Sequence, residues 1–414
     1  MTNELPQRRW IMIALVFFAT AINYLDRQTL SVVAPVLTAQ FHMSNQAYSR
    51  VIFAFMLAYT IMGGVSGPLI DRLGTRVGYA LTTACWSIAA MLHAVAHGTW
   101  SLGICRFLLG MGEAGNWPAG VKVVAEWFPV KERALAGGIF NSGSALGAIL
   151  APPLVVWIVR KAGWRAAFFF VGAIGLIWVL AWLPIYRTPR TKQEERKRAP
   201  IPFMRLFSTR FVWSFTVTKI FLDPVWYFYI FWFPQYLNKA RGFDLAAIGK
   251  YAWIPFLVAG AGNLLGGWLA AGLLRRGVSV TVARKSAVTF FAALMAATIP
   301  AVLVSSSTLS VAFVSVAMLG YTGVTANMLA FPADVFPSDS VASIWGIASM
   351  GSGFGGMVFV LITGWLVDHY SYRPVFFGFG AMPAVALLIM WFVLGPLRAP
   401  ADDAGDSGIS LQKF

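Results

Sequence analysis

The stretch GEAGNWPAGVKVVAEWFPVKERALAGGIFNSGSALG at 112–147 recurs 208 residues later, without a gap, as GYTGVTANMLAFPADVFPSDSVASIWGIASMGSGFG at 320–355. Gly112, Gly115, Phe128, Pro129, Gly138, Gly143, Ser144 and Gly147 fall on Gly320, Gly323, Phe336, Pro337, Gly346, Gly351, Ser352 and Gly355. Further on, Trp157 falls on Trp365, and Arg165, Phe168 and Phe169 fall on Arg373, Phe376 and Phe377. The window 112–173 holds 17 identities in 62 positions, where biased composition alone gives about 5. The chain therefore carries two copies of one unit. Glycines at spacings of four and five let helix backbones approach closely.

The composition says what medium the copies occupy. Of 414 residues, 58% are apolar and 12% charged, and the mean hydropathy is +0.70. Average soluble domains are ~45–50% apolar and ~25% charged. A disordered chain, a coiled coil and an ordinary soluble enzyme are excluded. A bilayer crossing takes ~20 apolar residues. Apolar runs predict twelve spans, numbered here 1 to 12: 10–38, 46–70, 76–97, 99–127, 133–159, 164–187, 206–237, 245–274, 282–304, 308–333, 339–368 and 372–396. The first run shows no small-residue cleavage site before Asp26-Arg27 and reads as a retained helix. The expected fold class is an all-α polytopic membrane protein of two pseudo-symmetric six-helix bundles, at 1–187 and 206–398. A cytoplasmic linker at 188–205 and a disordered cytoplasmic tail at 399–414 complete it.

The net charge of +16 does not mark a nucleic-acid binder, because Lys and Arg lie in short clusters between apolar runs. With the N-terminus inside, 20 of them face inward and 8 outward. That bias predicts a multi-pass protein of a bacterial inner membrane with both termini cytoplasmic. Six spans separate the copies, so they run parallel about an axis along the membrane normal. This is a transporter architecture, with its site at mid-membrane. Cys85 and Cys105 lie in apolar runs without metal or disulfide spacing. The four histidines fall near helix ends. No metal site and no cofactor are expected.

The loop after span 2, GPLIDRLGTR (67–76), resembles the G-x-L-x-D-R-x-G-x-R signature of the major facilitator superfamily. NYLDR (23–27), CRFLLGMGEAGNWPAG (105–120) and DPVWYFYIFWFPQYL (223–237) are similar to its anion:cation symporter branch, most of all to the hexuronate and galactonate proton symporters. The likeness spans the whole chain. It implies gating by Asp71, with Arg72 and Arg76 of the same loop. It implies proton coupling by Asp26 and Glu113, and substrate contact by Arg27, Arg106, Tyr24 and Tyr59. The second-half counterpart GGWLAAGLLRRG (266–277) keeps glycines and arginines but lacks the acid.

The residues support the same picture independently. A charge at the bilayer centre costs ~2.5–3.5 kcal/mol on insertion scales, and is a site hypothesis by default. Asp26, Arg27, Arg106, Glu113 and Lys219 fall near mid-membrane, and Asp223 lies farther along span 7. Arg106 and Glu113 face one way, about 10 Å apart along their helix. Each needs a partner, and span 1 offers one of each sign. The expected pairs are Asp26 with Arg106 and Glu113 with Arg27, or the crossed set. A substrate carboxylate competes for those arginines, whose planar fork holds it through two hydrogen bonds. A desolvated carboxyl that loses its cation favours its protonated form. Proton and anion are thereby linked.

Other positions admit two readings. Lys219 and Asp223, at i,i+4, either neutralise each other or face a cavity. Trp226 either stacks on a sugar or packs. Asn327 either reads substrate hydroxyls or bonds between helices. Lys122 and Glu126 read as a local pair or as part of the gate.

The expected function is import of a sugar-acid anion, a hexuronate or aldonate, by proton symport with alternating access. The partners are that small anion, protons and the bilayer, and a monomer suffices. The alternative is an organic-anion or organophosphate antiporter, against which the carboxyls beside the arginines argue. No nucleophile–base–orienter set, metal cluster or phosphate loop points to an enzyme.

Overall fold

The computed structural model describes residues 5–128, 130–187, 206, 209–336 and 338–397. The expected linker at 188–205 and tail at 399–414 lie outside the described residues. Every element among the described residues is helical. Span 1 is Leu5–Gln40, span 2 Asn45–Leu73 and span 3 Thr75–Leu92. Ser44 starts span 2 by accepting from the Ala47 amide at 3.0 Å, a helix N-cap. Gly74, at φ 77°, makes the reversal into span 3 that a side chain would strain.

Span 4 is not one run. It consists of Thr99–Glu113 and Asn116–Trp127. The Ser66 hydroxyl donates to the Ala114 carbonyl in the break at 3.1 Å, satisfying a group the interrupted ladder frees. Spans 5 and 6 make up Val130–Ile185, turning at Gly163 with φ 82°. Span 7 is Arg210–Arg241, and span 8 comprises Leu245–Tyr251 and Ile254–Arg275. Span 9 is Val280–Met295 with Thr298–Leu303, and span 10 is Ser307–Met328 with Phe331–Val335. Span 11 is Ser338–His369, and span 12 is Tyr372–Leu388 with a π-helical turn Ile389–Val393.

Among the described residues, nine helices are long and apolar enough to cross a membrane, and one of them, Ala136–Ile185, holds spans 5 and 6. Spans 4 and 7 fall below that threshold. They are the spans that bring Arg106, Glu113, Lys219 and Asp223 into the apolar part of the chain.

Two compact units are present. One contains Met1–Gln193, Phe228–Phe256 and Val360–His369; the other contains Glu194–Tyr227, Leu257–Phe359 and Tyr370–Phe414. The repeat is visible inside each. In the first unit, a Cβ on Gly143 or Gly147 of span 5 would collide with the Phe17 or Ala21 carbonyl oxygen of span 1. In the second, a Cβ on Gly351 or Gly355 of span 11 would collide with Thr216 or Ile220 of span 7. A Cβ on Gly112 would stand 2.6 Å from the Trp86 nitrogen of span 3, and one on Gly320 2.6 Å from the Phe291 carbonyl oxygen of span 9. The repeated glycines mark equivalent helix contacts.

Gly147→Val tests that packing. Overpacking against a backbone carbonyl cannot relax by a rotamer change, and the expected result is a drop in thermal midpoint in detergent of about 5 °C or more. Gly137→Val, with open space around it, should stay within about 2 °C of the parent.

Candidate functional site

The expected charges on spans 1 and 4 meet. Arg27 places Nε at 3.0 Å and Nη2 at 2.8 Å from Oε2 of Glu113. Both side chains are buried. Three rings surround the guanidinium: Tyr59 at 4.8 Å, Tyr24 at 5.0 Å and Phe55 at 5.2 Å from Cζ to centroid. Aromatic faces stabilise a cation without using its hydrogen-bond donors. Tyr59 keeps partial exposure while Tyr24 is buried.

The second expected pair is not made. Arg106 gives one long hydrogen bond, Nη1 to the Arg27 carbonyl at 3.4 Å. Its Nε and Nη2 have no partner among the described residues, and neither do Oδ2 of Asp26 and Oε1 of Glu113. Consecutive residues on a helix point about 100° apart. With Arg27 turned into Glu113, Asp26 is left on another face. The same neighbourhood holds Asn23, with both amide atoms unpartnered, and Nε2 of Gln28. Buried polar groups are normally satisfied, so such a concentration calls for a functional explanation. Two free guanidinium nitrogens can take a carboxylate, and two free carboxyl oxygens can take protons.

The second unit has its own polar cluster. Lys219 Nζ lies 2.8 Å from Asp223 Oδ2, the neutralising alternative for this pair. Tyr321 donates its hydroxyl to Asp223 Oδ1 at 3.1 Å. Trp226 stacks on Tyr321 at 5.1 Å and is partly exposed. Asn327 bonds between helices through its donors, while its Oδ1 has no partner among the described residues. It is fully buried, and its Nδ2 donates to the carbonyls of Gly266 and Gly323, both at 2.9 Å. The close glycine contact of spans 8 and 10 exposes those carbonyls to it, so its donors tie helices together.

At the span 2–3 loop, Asp71 pairs with Lys122 at 2.7 Å. Arg76 donates to the Leu183 carbonyl through Nε at 2.9 Å and Nη2 at 2.6 Å, while Arg72 is exposed. Lys122 and Glu126 therefore do not pair with each other. Glu126 instead accepts from Thr75 Oγ1 at 2.7 Å and from the Tyr186 hydroxyl, because spans 2, 3 and 6 offer closer partners than the next helical turn. In the second unit, Arg284 pairs with Asp334 at 3.1 Å. These residues stand 208 positions beyond Arg76 and Glu126. The second-half loop that lacks the acid still has an ion pair beside it.

Sequence reasoning missed Asp368. Its Oδ1 accepts from the Asn45 amide at 2.9 Å and from Asn45 Nδ2 at 2.7 Å; its Oδ2 accepts from the Gln46 amide at 2.7 Å. A carboxylate from span 11 thus caps the N-terminus of span 2, where the helix dipole favours negative charge. Gln235 and Lys239 of span 7 donate to Asn45 Oδ1 at 2.9 and 3.0 Å. Tyr48 donates to the Phe231 carbonyl at 2.7 Å, and Phe231 meets Phe55 edge-on at 6.0 Å. All of these residues belong to the first unit. Together they tie the N-terminal end of span 2 to spans 7 and 11. More than 320 residues separate Asp368 from Asn45, so no spacing announces the contact.

Comparison with known proteins follows the same lines. The model of the Major Facilitator Superfamily matches residues 16–291 and 278–410. The chain is 34% identical over 407 residues to the "Hexuronate transporter" of Escherichia coli (strain K12), covering 93% of this chain and 94% of that one. It is 38% identical over 307 residues to the "Galacturonate transporter" of Dickeya chrysanthemi, covering 69% and 89%. It is 26% identical over 417 residues to the "D-galactonate transporter" of Escherichia coli O6:H1, covering 95% and 97%. A bacterial homologue of the human lysosomal transporter Spinster, crystallised inward-facing and occupied, superposes with a TM-score of 0.72 at 19% identity, covering 93% and 95%. That last likeness is one of fold.

Two measurements test this geometry. Arg27→Met strands a buried carboxylate and should destabilise the protein by about 3–5 kcal/mol. Arg27→Met combined with Glu113→Leu should recover much of that loss, read as thermal unfolding in detergent. Asp368→Ala removes charge-assisted hydrogen bonds worth ~1.5–3 kcal/mol each. In a background lacking Cys85 and Cys105, a cysteine introduced at buried Ser49 should then react with maleimide at least about tenfold faster.

Proposed function

The chain belongs to the Major Facilitator Superfamily, and we propose that it imports a sugar-acid monoanion, a hexuronate or aldonate, together with protons. It is a multi-pass membrane transporter, not an enzyme. The observation that carries the reading is the buried set of two arginines and two carboxyls, closed at one pair and open at the other. Relatives named for hexuronate, galacturonate and D-galactonate support the substrate class.

The proposed sequence of events starts at Arg106. A substrate carboxylate takes its unpartnered Nε and Nη2 as a fork. The new negative charge competes with Glu113 for Arg27 and faces Asp26. Both acids then favour their protonated forms. One proton on either acid brings the two arginines, two carboxyls and one bound anion to zero net charge, which lowers the electrostatic penalty of moving the loaded site through a low-dielectric interior. Tyr24 and Tyr59, stacked on Arg27, are proposed to hydrogen-bond substrate hydroxyls, and Trp226 to stack on the sugar. The gating role falls to the loop of Asp71, Arg72 and Arg76. Access alternates by rocking of the two six-helix halves, in a monomer placed in a bacterial inner membrane with both termini cytoplasmic.

Proteoliposomes with an imposed pH gradient decide it, with galacturonate, glucuronate, galactonate and simple dicarboxylates as labelled substrates. Gradient-driven accumulation of a sugar acid is expected. Glu113→Gln should keep exchange and lose accumulation. Arg106→Lys should lower uptake at subsaturating substrate by about 10–100-fold, the worth of one charged hydrogen bond. Accumulation that ignored the pH gradient and required an internal counter-anion would establish the antiporter instead.

A further inference from the structure

Half of the cations expected on the outward side gather at one place. A groove of about 480 Å3 is walled by Trp157, Arg160 and Lys161 of span 5 and by Gly249 and Lys250 of span 8. The floor is tight, since a Cβ on Gly249 would stand 3.0 Å from Val156. Arg160, Lys161 and Lys250 are exposed, and among the described residues none of them pairs with an acid. Asp244, the nearest acid along span 8, is occupied in capping the Ala247 amide at 2.7 Å. Three like charges thus share one groove, with Lys250 on the wall opposite the other two. Their mutual repulsion favours an anion between these helix ends.

A second groove adjoins the first. It measures about 720 Å3 and is lined by Ala94, Ile158, Ala166, Phe169 and Ala173, with Lys161 and Arg165. Trp157 and Lys161 line both grooves. The combination is a cationic seat continuous with an apolar trough at a helix end. A free inorganic anion or a sugar acid uses the seat and leaves the trough unfilled. An amphiphile uses both. The repeat shows that the architecture does not require these cations: 208 residues on, Trp365 matches Trp157, but Asp368 and His369 stand where Arg160 and Lys161 do.

We propose that the two grooves bind one anionic phospholipid. Its phosphate lies between Arg160, Lys161 and Lys250, and an acyl chain lies along Ala166 and Phe169. The lipid is the missing counter-ion of the span 5–span 8 contact and holds those helix ends together.

The test uses the purified full chain in detergent, titrated with phosphatidylglycerol or with phosphatidylcholine of identical acyl chains and read by native mass spectrometry. Phosphatidylglycerol should be retained about tenfold or more over phosphatidylcholine, the preference three basic residues can supply. The variant Arg160→Gln/Lys161→Gln/Lys250→Gln should lose that preference, while Arg373→Gln, an outward cation elsewhere, should keep it. Ala166→Phe, which fills the trough without altering charge, should weaken retention of both lipids. Equal retention of the two lipids by the parent protein overturns the proposal, as does a preference unchanged in the triple variant. Displacement of phosphatidylglycerol by glycerol phosphate alone also overturns it, in favour of a small-anion site. Should the triple variant fail to fold, the parent's lipid preference and the glycerol phosphate competition still decide.

Discussion

Arg27 and Glu113 can be buried only because each has the other. An uncompensated ion in such an interior costs several kcal/mol, and the penalty exceeds any single packing gain nearby. The rest of the first unit is arranged to bring spans 1 and 4 close enough for that pair to close. Gly143 and Gly147 seat span 1 on span 5 at backbone contact. Gly110 and Gly112 do the same for span 4 against spans 2 and 3. Phe55, Tyr24 and Tyr59 then cover the guanidinium without consuming its donors. A single methyl group at Gly147 would collide with the Ala21 carbonyl and hold spans 1 and 5 apart.

The two copies of the repeat have kept the contacts and changed the chemistry. Glu113 and Tyr321 occupy equivalent positions. On span 4 the acid receives a cation from span 1. On span 10 the phenol donates to an acid from span 7, Asp223. The first unit therefore concentrates charge that has no full set of partners, while the second neutralises its Lys219–Asp223 pair within one helix. At the loop ends the divergence runs the other way. Arg284 and Asp334 pair directly, whereas Arg76 goes to a backbone carbonyl and Glu126 to hydroxyls. Duplication preserved helix packing, and each half was free to specialise in polar detail.

This explains what could be read from the chain and what could not. Periodicity and composition depend on local sequence, so the span count and the pairing of the repeats were open to inspection. The Arg27–Glu113 pair was accessible as one of two alternatives, because a buried ion demands a partner and few were on offer. Side chains with several partners within reach were not. Lys122 chose Asp71 over Glu126, and Asn327 turned to carbonyls that a glycine contact uncovers. Those choices depend on distances between helices, which no spacing encodes. Asp368 is the extreme case: two of its three donors are the backbone amides of Asn45 and Gln46, groups every residue but proline possesses. The break in span 4 was equally hidden, since Ala114 and Gly115 satisfy a helical pattern as well as a turn.

Arg106 gives the arrangement its direction. Its guanidinium is as deeply buried as Arg27's, yet its one hydrogen bond among the described residues is 3.4 Å long. Desolvating a cation without compensation is among the more expensive things a fold can do. Such a group persists only where the surrounding structure over-determines its position, and here Leu109, Gly110 and Cys105 hold its helix turn inside the unit. Its unpartnered Nε and Nη2 are the donors that the proposed anion takes. They stand beside two carboxyls, each with one oxygen that has no partner among the described residues. A cation arriving at the same place would find its attraction to the acids offset by both arginines. The proposed preference for an anion, and its proposed linkage to protons, both rest on one imbalance: two arginines and two acids, of which a single pair is joined among the described residues.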